Sequence, residues 1–192
     1  MNSLTVGLAL SIFATTAAPV GAEQRPIDAE RSTLTVLVYK AGLFSAFADN
    51  HVIRAPIASG SVSTDDPAAV ELRVRAATLT VLDPGLSADK RAEVQARMLS
   101  PEVLDIGKYP DITFASTSIE SAGADRWTVR GRLTIHGTTQ STTFPVSRQD
   151  GRYRGRVILK QRDFGIQPIS IMGGTVKVKD EVVVEFDIAA RK

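Results

Sequence analysis

Along much of its length the chain alternates apolar and polar residues with a period of two. The pattern is clear at Val70, Leu72 and Val74, which alternate with charged residues, and it recurs over residues 182–188. Successive side chains of a β-strand point to opposite faces, so each such segment buries one face and exposes the other. Frequent Thr, Val and Ile favour strands as well. The alternation therefore predicts an all-β protein built from antiparallel strands.

Turn residues divide this pattern into strands. Asp65-Asp66-Pro67, His136-Gly137 and Gln149-Asp150-Gly151 are typical of tight turns. Eight strands are predicted, at residues 32–40, 52–63, 69–80, 111–120, 126–136, 140–149, 152–163 and 175–190. Periodicity alone fits either a sandwich or a closed barrel, because both bury one face of antiparallel strands.

A short helical insertion, at about residues 87–104, interrupts the strands. Ser87 can cap the helix, and the residues that follow are good helix formers. Val94 and Met98 lie one helical turn apart and can share a buried face. Pro101 occupies the first position of a second short turn.

Composition excludes several classes of function. The chain has 192 residues and no cysteine, which rules out disulfides, thiolate zinc sites, thiol nucleophiles and cysteine-linked lipid anchors. With Lys+Arg 23 against Asp+Glu 21, the net charge of +2 is too small to indicate nucleic acid as a partner. None of the common nucleotide-binding, hydrolase or metalloprotease motifs is present, so we predict that the protein is not an enzyme and has no cofactor.

The first residues have the pattern of an export signal. Residues 4–18 are uncharged and mostly apolar, a run shorter than the roughly 20 residues that a membrane-spanning helix needs. Val20-Gly21-Ala22 places small or compact residues where a signal peptidase cleaves, and the first charge follows at Glu23. We therefore predict a signal peptide over 1–22, cleaved near Ala22, and one exported domain over 23–192; a retained anchor and an ordinary domain start stay open as alternatives.

Two regions are candidates for a binding site. Asp49-Asn50-His51 places a carboxylate, an amide and an imidazole together, a set that can contact a metal or a ligand headgroup but that also suits a simple turn. The apolar segments 41–48 and 164–174 lack a clean strand period. Such segments either cover a core or border a cavity.

Three motifs in the second half of the chain resemble those of the YceI-like family. The first is Tyr109-Pro110 followed by Phe114 and Ser116, and the second is the hairpin of residues 127–139, which ends in His136-Gly137. The third is the run Arg162-Asp163-Phe164-Gly165-Ile166. Their order and spacing agree with the family as well, and the resemblance covers about residues 32–190.

The resemblance implies a lipocalin-like, eight-stranded antiparallel barrel with an elongated apolar cavity. It implies a periplasmic or secreted binding protein that sequesters or carries a long-chain amphiphile, namely a polyisoprenoid, an isoprenoid quinone or a fatty-acid amide. The expected partner is thus an isoprenoid or acyl lipid, with transient membrane contact allowed and no metal. The protein is expected to be a monomer or a homodimer.

A cavity of this kind needs an apolar wall and a few polar groups at its mouth. The predicted wall residues are Phe44, Phe47, Met98, Phe114, Phe164, Ile171 and Met172. The predicted headgroup contacts are Asn50, His51 and Arg162. Two other functions stay open: an interaction or stress-response module without a ligand, and a metal-assisted hydrolase that uses Asp49 and His51.

Overall fold

The computed structural model describes residues 23–41, 50–64, 68–171 and 176–191. Twelve strands form one antiparallel sheet. They are β1 (Arg25–Pro26), β2 (Thr33–Ala41), β3 (His51–Arg54), β4 (Ile57–Ser63), β5 (Ala69–Arg75), β6 (Thr80–Val81), β7 (Asp111–Gly123), β8 (Arg126–Ile135), β9 (Thr138–Gln149), β10 (Arg152–Lys160), β11 (Ser170–Ile171) and β12 (Val176–Ala189). The helix α1 spans Ala88–Leu99, and short 3₁₀ turns occupy Ala76–Thr78 and Gln161–Phe164.

The prediction of an all-β barrel with one helical insertion is confirmed. The strand count differs because the predicted second strand divides into β3 and β4, and because β1, β6 and β11 are short additional strands. The predicted third strand ends early, at Arg75, where the backbone of Ala76 turns to donate a hydrogen bond to Pro110 O, 2.8 Å away. The predicted turns at His136-Gly137 and Asp150-Gly151 are present, each with two residues at positive φ.

The sheet closes on itself through one bent strand. Residues 51–54 pair with β2, whereas residues 57–63 pair with β5. Between them lie Ala55 and Pro56, and a proline has no backbone N–H to continue a ladder of hydrogen bonds. The chain therefore leaves one neighbour and joins the other at this point, and the eight long strands form a ring.

The N-terminal strand β1 fills the gap that the bend leaves between β4 and β12. Arg25 and Pro26 pair with β4, and Ile27 forms a bridge with Ala190 at the end of β12. The backbone N–H of Arg191 donates to Pro26 O at 2.8 Å. Both sides of β1 are thus hydrogen-bonded, and this end of the barrel has a continuous main-chain ring.

The helix α1 is fixed across the opposite end of the barrel. Ser87 caps it by accepting a hydrogen bond from the backbone N–H of Lys90. Gln95 anchors it to the sheet edge, since its side chain accepts from Val81 N and donates to Leu79 O, both at 2.8 Å. No helix in the described part of the chain is long and apolar enough to cross a membrane.

The three motifs that carry the family resemblance meet at this same end. The ring of Tyr109 stands edge-on to His136, with ring centroids 4.4 Å apart, and lies against Gly137. Gly165 has a φ of 74° and ends its 3₁₀ turn beside His136. The amide of Gln140 also donates to Asp163 O at 2.7 Å. The motifs therefore hold the β8–β9 turn in place, a structural role.

At the β1 end, one carboxylate holds two arginines of β10. Asp187 accepts hydrogen bonds from Arg152 Nε at 2.5 Å and from Arg154 Nε at 2.9 Å, and Arg152 also donates to Arg31 O. Burial alone raises the pKa of the Asp187 carboxyl, but the hydrogen bonds from Arg154 and Arg152 outweigh it and hold the pKa below its usual range. The charged form of Asp187 therefore stabilises the fold.

We expect Asp187→Asn to lower the melting temperature at pH 7 by roughly 2–4 °C, as loss of about 1 kcal/mol would do in a domain of this size. Because the folded pKa is depressed, the contribution of Asp187 is complete above its unfolded pKa of about 3.9 and is lost as the pH falls through the lower folded value. The melting temperatures of Asp187→Asn and of the wild type, measured from pH 7 to pH 2, should thus converge at acid pH. Glu93→Gln, which removes an exposed carboxylate of α1, is the control. A constant difference at every pH would contradict the assignment.

Candidate functional site

An apolar cavity of about 250 Å³ lies inside the barrel. It joins the two core clusters, one beside α1 and one at the β1 end, and Leu34 and Leu72 pack against both. No charged residue or histidine belongs to its described lining. Apolar cavities of about 150 Å³ in other proteins stay dry and bind small apolar molecules, so this larger cavity can hold part of a hydrocarbon chain.

Three phenylalanines form an aromatic belt across the cavity wall. Phe114 on β7, Phe144 on β9 and Phe186 on β12 all line the cavity. The ring centroids are 5.5 Å apart for the first pair and 5.6 Å apart for the second. The contacts are tilted and edge-to-face, which are favourable arrangements for aromatic pairs.

Glycines on the strands between them make room for two of these rings. A Cβ built at Gly131 of β8 would overlap the ring of Phe114 and lie 2.6 Å from Ala115 O. A Cβ built at Gly155 of β10 would overlap the ring of Phe186 and lie 2.7 Å from Pro145 O. A glycine inside a strand marks such a close approach. The outer ends of these two rings therefore occupy the space above Gly131 and Gly155 that a side chain would fill.

Two buried hydroxyl groups lack hydrogen-bond partners among the described residues. Ser63 is 3% exposed and Tyr153 is 9% exposed. Both residues belong to the β1 end, where the ring of Tyr153 packs 6.0 Å from that of Trp127 and lines the cavity.

The structure places one of the predicted wall residues in the cavity lining, Phe114. Met98 and Phe164 are instead buried in the core cluster beside α1, with Leu104 and Ile166. Apolar side chains from the helix and from the 3₁₀ turn pack together there, at the α1 end of the barrel. Contact of these two residues with a ligand stays a prediction.

The structure does not describe the side chains of the remaining predicted wall residues. Phe44, Phe47 and Met172 lie outside the described residues, and so does the side chain of Ile171. Their assignment to a cavity wall stays a prediction.

The predicted headgroup residues Asn50 and His51 lie at the α1 end and are absent from the described cavity lining. His51 Nδ1 is 2.6 Å from the buried carboxylate of Asp83, which also accepts a hydrogen bond from Val52 N at 2.7 Å. Asn50 Oδ1 accepts from Lys40 N at 3.1 Å. His51 thus links the start of β3 to the segment that follows β6, and Asn50 links it to β2. Contact of either side chain with a ligand stays a prediction.

Arg162 also lies away from the cavity. Its side chain is exposed, and its backbone N–H donates to Asp180 Oδ1 at 3.0 Å. Asp49, which the hydrolase alternative requires, lies outside the described residues. In the ranges that are described, no three His, Asp or Glu side chains come together in a way that could hold a metal ion.

Comparison with known proteins identifies the family. The YceI-like domain matches residues 26–190. The chain belongs to the YceI-like family. Among curated relatives, a UPF0312 protein of Pseudomonas putida is 35% identical over 86 residues, which is 40% of this chain and 45% of the relative. A UPF0312 protein of Azotobacter vinelandii is 32% identical over 120 residues, 56% and 59% of the two chains. The chain therefore spans about half the length of the curated relatives that it matches.

Solved structures share the YceI-like fold at low sequence identity. BcnA of Burkholderia cenocepacia superposes with a TM-score of 0.67 at 20% identity, over 84% of this chain and 98% of BcnA. A polyisoprenoid binding domain from Saccharophagus degradans, implicated in plant cell wall breakdown, gives a TM-score of 0.59 at 17% identity, over 88% and 99% of the two chains. At these identities the comparisons show the fold alone.

Several lining residues of this YceI-like barrel escaped sequence analysis. Phe144 and Phe186 occupy inward positions of predicted strands, and the alternation alone could have indicated them. Gly131 and Gly155 interrupt strand patterns, which is the usual signal of a close approach. Tyr153 lies on the same face of β10 as Val157 and Leu159, so the alternation could have indicated it as well.

We expect Gly131→Ala and Gly155→Ala each to destabilise the fold by about 1–3 kcal/mol, because the added methyl group would overlap both an aromatic ring and a carbonyl oxygen. Gly107→Ala is the matched control, since nothing lies within 4 Å of a Cβ built there. Urea unfolding of the three variants checks this. Equal stabilities would show that the belt does not depend on the two glycines.

Proposed function

We propose that this protein binds a long-chain amphiphile inside the barrel and sequesters or carries it. The candidate ligands are a polyisoprenoid, an isoprenoid quinone and a fatty-acid amide. The observation that carries the proposal is the cavity inside the barrel, whose described lining is mostly apolar and aromatic and has no charged residue. The described lining has no side chain that could pair with a charged substrate or bind a metal ion. The cavity therefore favours binding of an apolar molecule over the hydrolase alternative.

The energetics of such binding follow from the apolar wall. Each buried CH₂ group stabilises the complex by about 0.8 kcal/mol, against association and ordering costs of several kcal/mol. A hydrocarbon chain therefore needs only a dry cavity of matching shape. The aromatic belt supplies flat surfaces for the unsaturated, methyl-branched units of an isoprenoid chain.

The relatives support this reading. The domain from Saccharophagus degradans, which shares the fold, is described as polyisoprenoid-binding. We further propose that residues 1–22 direct export and are removed near Ala22, so that the barrel acts in the periplasm or outside the cell. An exported carrier would meet its lipid at a membrane surface, as a monomer or a homodimer.

The first test is extraction of the purified protein with organic solvent, followed by mass spectrometry. We expect a co-purified lipid that binds again when it is returned to the extracted protein. Protein that is consistently empty, and that neither farnesol nor a longer isoprenoid stabilises, would refute the proposal. A bound ion lost in His51→Ala would instead favour the hydrolase.

A cavity-filling variant tests the location of the ligand. We expect farnesol at about one hundred times its Kd to raise the melting temperature of the wild type by about 5–10 °C. Leu72→Trp adds bulk in the middle of the cavity and should abolish most of this shift. Ile158→Trp adds similar bulk on the outer face, at a residue that is 57% exposed, and should leave the shift unchanged. Equal shifts in the two variants would place the ligand elsewhere.

A further inference from the structure

A crevice of about 460 Å³ lies on the surface of the protein at the β1 end. Five guanidinium groups line this arginine crevice, those of Arg25, Arg31, Arg148, Arg152 and Arg191. Two carboxylates, those of Asp28 and Asp150, line it as well. The lining therefore has a net charge of +3, whereas the whole chain has +2, so the rest of the protein has a net charge of −1. The positive charge of the protein is concentrated at this one end.

Closure of the barrel brings these arginines together from distant parts of the chain. Arg25 lies on β1 and Arg191 follows β12, and the backbone N–H of Arg191 donates to Pro26 O at 2.8 Å. Arg152 of β10 donates from Nη2 to Arg31 O at 2.6 Å, which holds the segment after β1 against β10. The backbone that carries the arginines is thus fixed before any ligand binds, and this lowers the entropic cost of binding.

Four of the five guanidinium groups are available to an external anion. Among the described residues, Arg152 forms an ion pair, with Asp187, and the other four arginines of the crevice form none. Arg31, Arg148 and Arg191 are exposed. A guanidinium presents N–H donors in a planar fork that matches two oxygens of a phosphate group. The crevice therefore has the chemistry of a phosphate site.

The neighbourhood of the crevice favours the phosphate of a phospholipid. The guanidinium of Arg148 lies 5.9 Å from the centre of the Tyr153 ring, and that ring also lines the apolar cavity. A basic surface therefore stands directly outside an apolar interior, as contact with a lipid headgroup layer requires. Nucleic acid is a poorer fit, because single strands are bound by aromatic stacking and no aromatic residue belongs to the described lining of the crevice.

We propose that the arginine crevice binds the phosphate groups of anionic phospholipids and docks the β1 end of the barrel on a membrane surface. Asp28 and Asp150 oppose this attraction and keep the docking reversible. The contact depends on surface charge and not on a molecule inside the barrel. It therefore goes beyond the proposed function and does not need it to be correct.

Flotation of the full chain with lipid vesicles tests the proposal. One vesicle is phosphatidylcholine, and the other contains phosphatidylglycerol as about one third of its lipid. The readout is the ratio of the affinities for the anionic and the neutral vesicle, so that apolar binding by residues 1–22 cancels. We expect Arg31→Gln and Arg148→Gln each to lower this ratio about fivefold, and the double variant about 25-fold. Arg132→Gln, at an exposed arginine of β8 outside the described crevice lining, should leave it unchanged.

A variant that gains affinity excludes unfolding as the explanation. Asp150→Asn removes a carboxylate from the crevice, and asparagine tolerates the positive φ of 52° at this turn. We expect this variant to raise the ratio about fivefold. Asp105→Asn is the matched control, because Asp105 also has a positive φ, 45°, but follows α1 and lies outside the described crevice lining. It should leave the ratio unchanged.

Several outcomes would overturn the proposal. A ratio that is the same in the wild type and the Arg31/Arg148 double variant would place any membrane contact elsewhere. A preference for anionic vesicles that persists at about 1 M salt would show that exposed charges do not cause it. Loss of the preference in millimolar inorganic phosphate would assign the crevice to a free phosphate. If solvent extraction yields no lipid but the preference for anionic vesicles remains, the proposed function fails and docking stands.

Discussion

Closure of the sheet is the constraint on which the rest of the structure depends. An open sheet of this length would expose unpaired N–H and C=O groups at both edges and would leave its apolar face without cover. The bend at Ala55-Pro56 lets one strand serve two neighbours, and β1 supplies the missing main-chain partners beside it. Only then does the inner face enclose a volume, and only an enclosed volume can exclude water from an apolar ligand.

Within the closed barrel, side-chain size decides which part is solid and which part is open. At the α1 end, side chains from the helix, the 3₁₀ turn and the strands converge and pack together, as Met98 and Phe164 illustrate. Farther along, Gly131 and Gly155 leave space for the outer ends of two aromatic rings that line the cavity. The cavity thus depends on the glycines that leave space as much as on the apolar side chains that line it.

The sequence predicted the strands and the helix well because both depend on local periodicity and turn chemistry. The alternation at Val70, Leu72 and Val74 and the turn at Asp150-Gly151 are of this kind. It predicted the site less well, because lining a cavity depends on register and closure between residues far apart in the chain. Met98 and Phe164 are apolar and lie in plausible segments, yet they pack in the core cluster beside α1.

The two ends of the domain are hydrogen-bonded to each other, and this pairing limits when the barrel can close. The hydroxyl of Ser32 exchanges hydrogen bonds with the backbone of Ala189, 157 residues away in the chain, and Ile27 meets Ala190. Contacts between such distant residues form slowly, because a long loop must close before any of them contributes. The barrel therefore cannot be completed before its last strand has been synthesised. Until that strand pairs with β2 and β10, the apolar inner face lacks part of its cover.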